Sequence, residues 1–161
     1  MKNVLTILLI LIVNSCLYSQ VTYKFNTTAN VYGCSNILLQ KISKNWQYEL
    51  MIEISQIDSL PKSLEFELTK YSKFLSVYLN KYPKGNNYVH DICNDVIYSN
   101  NKTYKPNKYI AKQGIVLITK WESNYIISLQ LKNIILNDSS QREIKLPSEQ
   151  FSDLKVGWLG G

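Results

Sequence analysis

The chain has 161 residues, which suits one domain with a sizeable core. Its formal net charge is +6, with 18 lysines and arginines against 12 aspartates and glutamates. Arg142 is the only arginine, and the lysines are scattered along the chain. Nucleic-acid-binding proteins usually concentrate charge on one face and use arginine for forked contacts. We therefore expect no nucleic-acid partner, and we interpret the basic charge as a solvated surface with some affinity for acidic polymers.

The N-terminal stretch MKNVLTILLILIVNSCLYSQ has the pattern of a signal peptide. Lys2 precedes an apolar run over residues 4–13 that is too short to span a bilayer. Two processing routes are open, namely cleavage after Ser19 and lipidation of Cys16, since VNSC resembles a bacterial lipobox. The sequence thus predicts a signal peptide over 1–19 and a single exported domain over 20–161. This domain is periplasmic or secreted, or it is held in the envelope by a lipid anchor as its only membrane contact.

Strand patterns dominate the exported part. Apolar residues occupy every second position of NWQYELMIEIS, residues 45–55, which is the period of a β-strand. The remaining predicted strands follow in chain order: NILLQKI (36–42), SLEFEL (63–68), KFLSVYLNKY (73–82), QGIVLITKW (113–121), NYIISLQLKNI (124–134) and REIKL (142–146). The acidic residues at the alternate positions are expected on solvated sheet faces: Glu49, Glu53, Glu65 and Glu67.

Turn compositions separate these runs, at residues 60–61, 83–87 and 137–140. The two runs within 114–135 predict a β-hairpin, and SEQFSDLKV (148–156) suggests a helical turn. The polar stretch YSNNKTYKPNKY (98–109) is expected to be a long surface loop. Several short strands divided by turns predict an all-β fold, an antiparallel β-sandwich of immunoglobulin-like architecture with about seven strands.

The segment VHDICNDVI, residues 89–97, gathers residue types that bind metals or transfer protons, among them His90. A zinc site needs three or four converging ligands, but the chain has one histidine and no zinc-type spacing. Since Cys16 is either removed or acylated, Cys34 and Cys93 are the remaining thiols, and in an exported protein they predict a disulfide. Closing that loop would stabilise the fold by roughly 4 kcal/mol. We therefore expect no metal and no cofactor here.

Three alternatives stay open for the chemistry of the chain. Oxygen atoms of Asp91, Asn94 and Asp95 would suit a calcium ion. The tyrosines in the polar stretch could form an exposed ligand-binding loop, because tyrosine combines apolar area with a polar tip: Tyr98, Tyr104 and Tyr109. Finally, two of the strand glutamates could act as the paired carboxylates of a hydrolase.

Five motifs together resemble a group of small exported bacterial proteins, many of them lipidated. They are the early half-cystine in VYGCSN (31–36), CNDV (93–96), the strands GIVLIT (114–119) and YIISLQLKNIIL (125–136), and the ending VGWLGG (156–161). The resemblance implies a compact β domain at the cell envelope. It supplies no activity and no catalytic residues.

The functional expectation is a non-enzymatic secreted or cell-envelope domain that binds a partner or has a structural role. Its partner would be an envelope protein or a glycan. The alternatives are an accessory subunit of an envelope complex and a small carboxylate-dependent hydrolase.

Overall fold

The computed structural model describes residues 23–34, 36–55, 61–69, 74–83, 106–121 and 126–156. These ranges form eight β-strands: β1 (Asn30–Cys34), β2 (Asn36–Ile42), β3 (Tyr48–Ile54), β4 (Ser63–Glu67), β5 (Leu75–Lys81), β6 (Asn107–Trp121), β7 (Ile126–Asn137) and β8 (Glu143–Lys155). Within them no helix is long and apolar enough to cross a membrane. All eight elements are β-strands that pair antiparallel, which confirms the predicted all-β, antiparallel fold.

All eight strands belong to one hydrogen-bonded sheet, whereas the sequence suggested two sheets packed as a sandwich. The order is β1-β2-β3-β5-β6-β7-β8, and every pairing is antiparallel. Strand β6 is long enough to pair with β5 through residues 107–110 and with β4 through residues 115–119. Because β6 pairs with both β4 and β5, these strands belong to one continuous sheet. In a sandwich they could lie in two separate sheets.

The sheet curls so that β2, which lies next to the edge strand β1, comes into contact with β8 at the other edge. Four strands separate β2 from β8 in the sheet, which would place them about 24 Å apart if the sheet were flat. However, Lys41 Nζ of β2 lies 2.5 Å from Glu149 Oε1 of β8. The same ammonium donates to the carbonyl oxygen of Gln150 and lies 4.9 Å from the ring centre of Phe151. A largely buried ion pair thus links β2 to β8.

Irregularities in β6 and β7 produce the bend. The register of the two strands shifts between Ala111 and Ile115. Gly114 has φ 137° in this region, and Asn133 on β7 has φ 51°. A β-bulge bends a strand and increases its twist. Leu131 and Ile134 both face the core, although they are three positions apart, because the bulge reverses the alternation between them.

The core fills the inside of the curled sheet. The predicted inward residues of β3 and β7 are buried, which confirms their alternation: Leu50, Ile52, Ile54, Ile127, Leu129 and Leu131. The predicted hairpin is confirmed as β6–β7. The helical turn expected over 148–156 is wrong, since β8 continues to Lys155 with Phe151 opposite Leu129.

Candidate functional site

A shallow groove lies on the outer surface beside the turn between β2 and β3. It has a volume of about 350 Å³. Its walls come from the segment that precedes β1, from the end of β2 and from the turn: Asn26, Thr27, Thr28, Asn30, Ile42, Lys44 and Trp46. Two amides, two hydroxyls, one ammonium and one indole therefore surround the groove. The groove therefore offers one aromatic ring and several hydrogen-bonding groups to a ligand.

Trp46 forms one end of the groove in an unusual backbone conformation. Its φ is 58°, in the left-handed region, and 48 % of its surface is exposed. A bulky residue seldom adopts this conformation, which costs of order 1–3 kcal/mol. About half of the residue therefore stays in contact with solvent. The backbone strain at Trp46 opposes stability, and strain of this kind clusters at ligand-binding sites.

The turn around Trp46 is fixed by its own hydrogen bonds. The Trp46 N–H donates to the Ser43 carbonyl oxygen at 2.8 Å, and the Tyr48 N–H donates to Ser43 Oγ at 2.8 Å. Asn45 Oδ1 accepts from Ser43 Oγ at 2.7 Å and from the Gln47 N–H at 3.2 Å. These contacts hold the turn in one conformation, so the indole is presented from a rigid base.

The opposite wall is a short extension of the sheet. Phe25 pairs with Ser43, and the Asn26 N–H donates to the Ile42 carbonyl oxygen at 2.9 Å. Phe25 is buried in the core, so its neighbours along the chain face outwards. The segment is thereby anchored, and the side chain of Asn26 reaches the groove.

Behind the groove, a buried carboxylate organises a polar network. Glu49 is only 3 % exposed, and its carboxylate accepts from Gln40 Nε2 at 2.5 Å, from Asn80 Nδ2 at 2.8 Å and from the Tyr82 hydroxyl at 2.8 Å. Gln40 Oε1 in turn accepts from Asn30 Nδ2 at 2.8 Å. The network thus ends at a residue that lines the groove and fixes the direction of its amide. The expectation that Glu49 lies on a solvated face is wrong.

The other strand glutamates occupy different environments. Glu53 accepts from Asn36 Nδ2 at 2.7 Å, while Glu65 and Glu67 are exposed on β4. Both oxygens of Glu49 already accept hydrogen bonds from neutral groups. We therefore interpret Glu49 as a structural carboxylate that positions its neighbours.

Of the predicted ligand-loop residues, Tyr109 is corrected by the structure. It lies in β6 opposite Leu79, where the strand begins before the polar stretch ends, and only 5 % of it is exposed. It is a core residue and is not available to a ligand. The remaining two, Tyr98 and Tyr104, lie outside the described residues.

The other predicted site residues also fall largely outside the described ranges. Cys34 ends β1, but its predicted partner Cys93 lies outside, so the disulfide stays a prediction. Also outside are the possible lipidation site Cys16 and the residues considered for metal binding: His90, Asp91, Asn94 and Asp95.

Buried tyrosines make stability depend on alkaline pH. Burial raises the pKa of Tyr82 well above the ordinary value of about 10 for tyrosine, and the Glu49 carboxylate beside it acts in the same direction. Burial also raises the pKa of Tyr23 to about 12. Above pH 10, the unfolded chain loses these protons while the folded chain keeps them, so stability is fully present below pH 10 and falls as pH rises.

We expect Tyr82→Phe to lower the free energy of unfolding by roughly 1–3 kcal/mol at pH 7. The variant removes the hydroxyl that donates a hydrogen bond to the buried carboxylate of Glu49. That penalty should shrink between pH 10 and 12, since phenylalanine has no proton to lose. Urea unfolding of both proteins across this range measures the difference. A penalty that stays constant with pH would show that Tyr82 does not keep its proton in the folded state.

Sequence reasoning missed the groove, because the stretch NWQYELMIEIS places Trp46 inside a strand run. A usable signal was present in SKNWQ (43–47), where Ser43 and Asn45 are residue types that form turns through side-chain hydrogen bonds. The comparisons with known proteins add no relative: no family model, no curated protein and no solved structure matches this chain.

Proposed function

We propose that this protein is a non-enzymatic binding domain of the cell envelope or the secreted space, and that it engages its partner through the groove beside Trp46. The observation that carries the proposal is the exposed indole of Trp46, held at φ 58° by a hydrogen-bonded turn. The signal-peptide pattern supports the exported location. The groove is open and shallow, which suits a partner that rests on the surface.

The strain at Trp46 allows a variant that separates binding from folding. Asparagine tolerates the left-handed conformation far better than tryptophan does. We therefore expect Trp46→Asn to be at least as stable as the wild type and yet to lose binding. A tryptophan that served only the fold would show the reverse, because its removal would lower stability.

The experiment probes the wild type and Trp46→Asn on a glycan array and a peptide array. Phe74→Asn is the control, since Phe74 is also exposed at 38 % but adjoins the opposite end of β3 through the Ser55–Phe74 hydrogen bond. We expect ligands that bind the wild type and Phe74→Asn but not Trp46→Asn, and we expect to recover them uncleaved. Ligands bound equally by all three proteins would contradict the proposal, and cleaved products would indicate an enzyme.

A further inference from the structure

We propose that the groove binds a glycan whose sugar units carry carboxylates, with Trp46 stacking on a sugar ring and Lys24 and Lys44 contacting the acid groups. This inference rests on the proposed function, since it names the ligand class of the same groove. Its evidence is the lining residue Lys44 with its cross-strand neighbour Lys24, the chemistry of the lining and the fixed amide of Asn30.

Lys24 lies directly opposite Lys44, the lysine that lines the groove. The Phe25–Ser43 pairing makes Lys24 and Lys44 cross-strand neighbours, and the Lys44 N–H donates to the Lys24 carbonyl oxygen at 3.0 Å. Both side chains are exposed on the outer face, opposite to buried Phe25. Within the described part of the chain, neither ammonium has an ion-pair partner. Like charges in this position destabilise a sheet, and an anionic ligand would relieve their repulsion.

The lining suits a sugar better than it suits a peptide or a lipid. The exposed indole offers a flat apolar surface with a polar N–H, which matches the C–H face of a sugar ring. Thr27, Thr28 and Asn26 provide hydroxyl and amide groups that can exchange hydrogen bonds with sugar hydroxyls. Among the described residues that line the groove, Ile42 is the single apolar side chain besides Trp46, and these residues offer too little apolar area for a lipid chain or a hydrophobic peptide.

Asn30 has a fixed orientation in the groove wall. Its Nδ2 donates to Gln40 Oε1, and Gln40 is held by the buried Glu49. The amide of Asn30 therefore directs its Oδ1 as an acceptor toward a donor outside the network. A sugar hydroxyl is such a donor, whereas a carboxylate is not. Asn30 thus accepts from a hydroxyl group of the ligand, while the two lysines contact its acid groups.

The test measures binding of the purified protein to tetramers of galacturonate, glucuronate and mannuronate by calorimetry. The matched probe is the methyl ester of each tetramer, which keeps the ring and removes the charge. We expect at least one acid tetramer to bind, its ester to bind about tenfold more weakly, and added salt to weaken only the acid form. Lys24→Gln and Lys44→Gln should each weaken the acid form about tenfold without lowering stability.

The outcomes separate this inference from the proposed function. Equal binding of acid and ester, with no effect of the lysine variants, would overturn the acidic ligand, while loss of that binding in Trp46→Asn would still support the groove. Binding that survives Trp46→Asn would contradict both proposals. Tighter binding of a single-stranded oligothymidylate than of any acid tetramer would replace the glycan with a nucleic acid. If none of the acid tetramers binds, the inference is wrong, and the array experiment decides the proposed function on its own.

Discussion

Replacing Lys41 with methionine is expected to lower the free energy of unfolding by about 3 kcal/mol. The Lys41 side chain is 5 % exposed and its partner Glu149 is 17 % exposed, so the variant leaves a largely buried carboxylate without its cation. It also removes the donor to the Gln150 carbonyl oxygen. Because this pair joins β2 to β8, the loss should affect the closure of the whole core. Urea unfolding at pH 7 measures the change.

Two further variants test the explanation for Lys41. The double variant Lys41→Met with Glu149→Leu should recover most of the lost stability, since an apolar pair of similar volume often replaces a buried ion pair without cost. Lys145→Met is the matched control, because Lys145 pairs with Glu143 on the same strand β8 while both side chains are about half exposed. We expect it to change stability by less than about 1 kcal/mol. A similar small effect for Lys41→Met would show that its ion pair does not close the sheet.

Gly114→Ala is expected to destabilise the protein by about 3 kcal/mol or more. A Cβ atom at this position would lie 2.5 Å from Ile134 Cδ1 and 2.9 Å from Ile134 Cα. In addition, φ at Gly114 is 137°, which side chains of L-residues rarely allow. The backbone atom cannot move away without distorting the bend between β6 and β7. Thermal and urea unfolding measure the loss.

The position of the two clashes provides a sharper test at Gly114. Ile134→Val removes the Cδ1 atom but leaves the Cα atom, so adding it to Gly114→Ala should not restore stability. Gly33→Ala is the control, because Gly33 is exposed in the regular strand β1 and has no positive φ. Full rescue by Ile134→Val would mean that the side chain alone, and not the backbone approach, requires glycine at this bend.

The alternation of apolar residues was sufficient to predict most of the strands. Where one face is buried and the other is polar, the sequence carries the period directly, as in β3 and β7. The alternation was not sufficient to predict the ion pair of Lys41. This residue follows Leu39 by two positions, so its charged side chain lies on the same, core-facing side of β2. Its partner lies 108 positions away along the chain, so no local pattern identifies the pair. The curling of the strands into a single sheet likewise depends on contacts between residues far apart in the sequence, such as that of β2 with β8.

The candidate site was harder to predict because its parts are separated in sequence. The groove combines residues 26–30 with the turn over 43–47, and their contact follows from the Phe25–Ser43 pairing. Glu49 looked like a surface residue because alternation identifies a face but does not show whether that face is covered. Conversely, Tyr109 lies in a polar stretch, yet its pairing with β5 places it in the core. Both errors arose where tertiary contacts override local composition.

The most direct test of the central claim follows the indole N–H resonance of Trp46 by NMR while the acid tetramer that binds most tightly in calorimetry is added. The resonance is assigned by its loss in Trp46→Phe. If the groove is the binding site, this signal shifts together with the backbone amides of residues 26–30 and 44–47, and the amide of Phe74 does not move. Shifts that cluster elsewhere, with the Trp46 indole unchanged, would contradict the account.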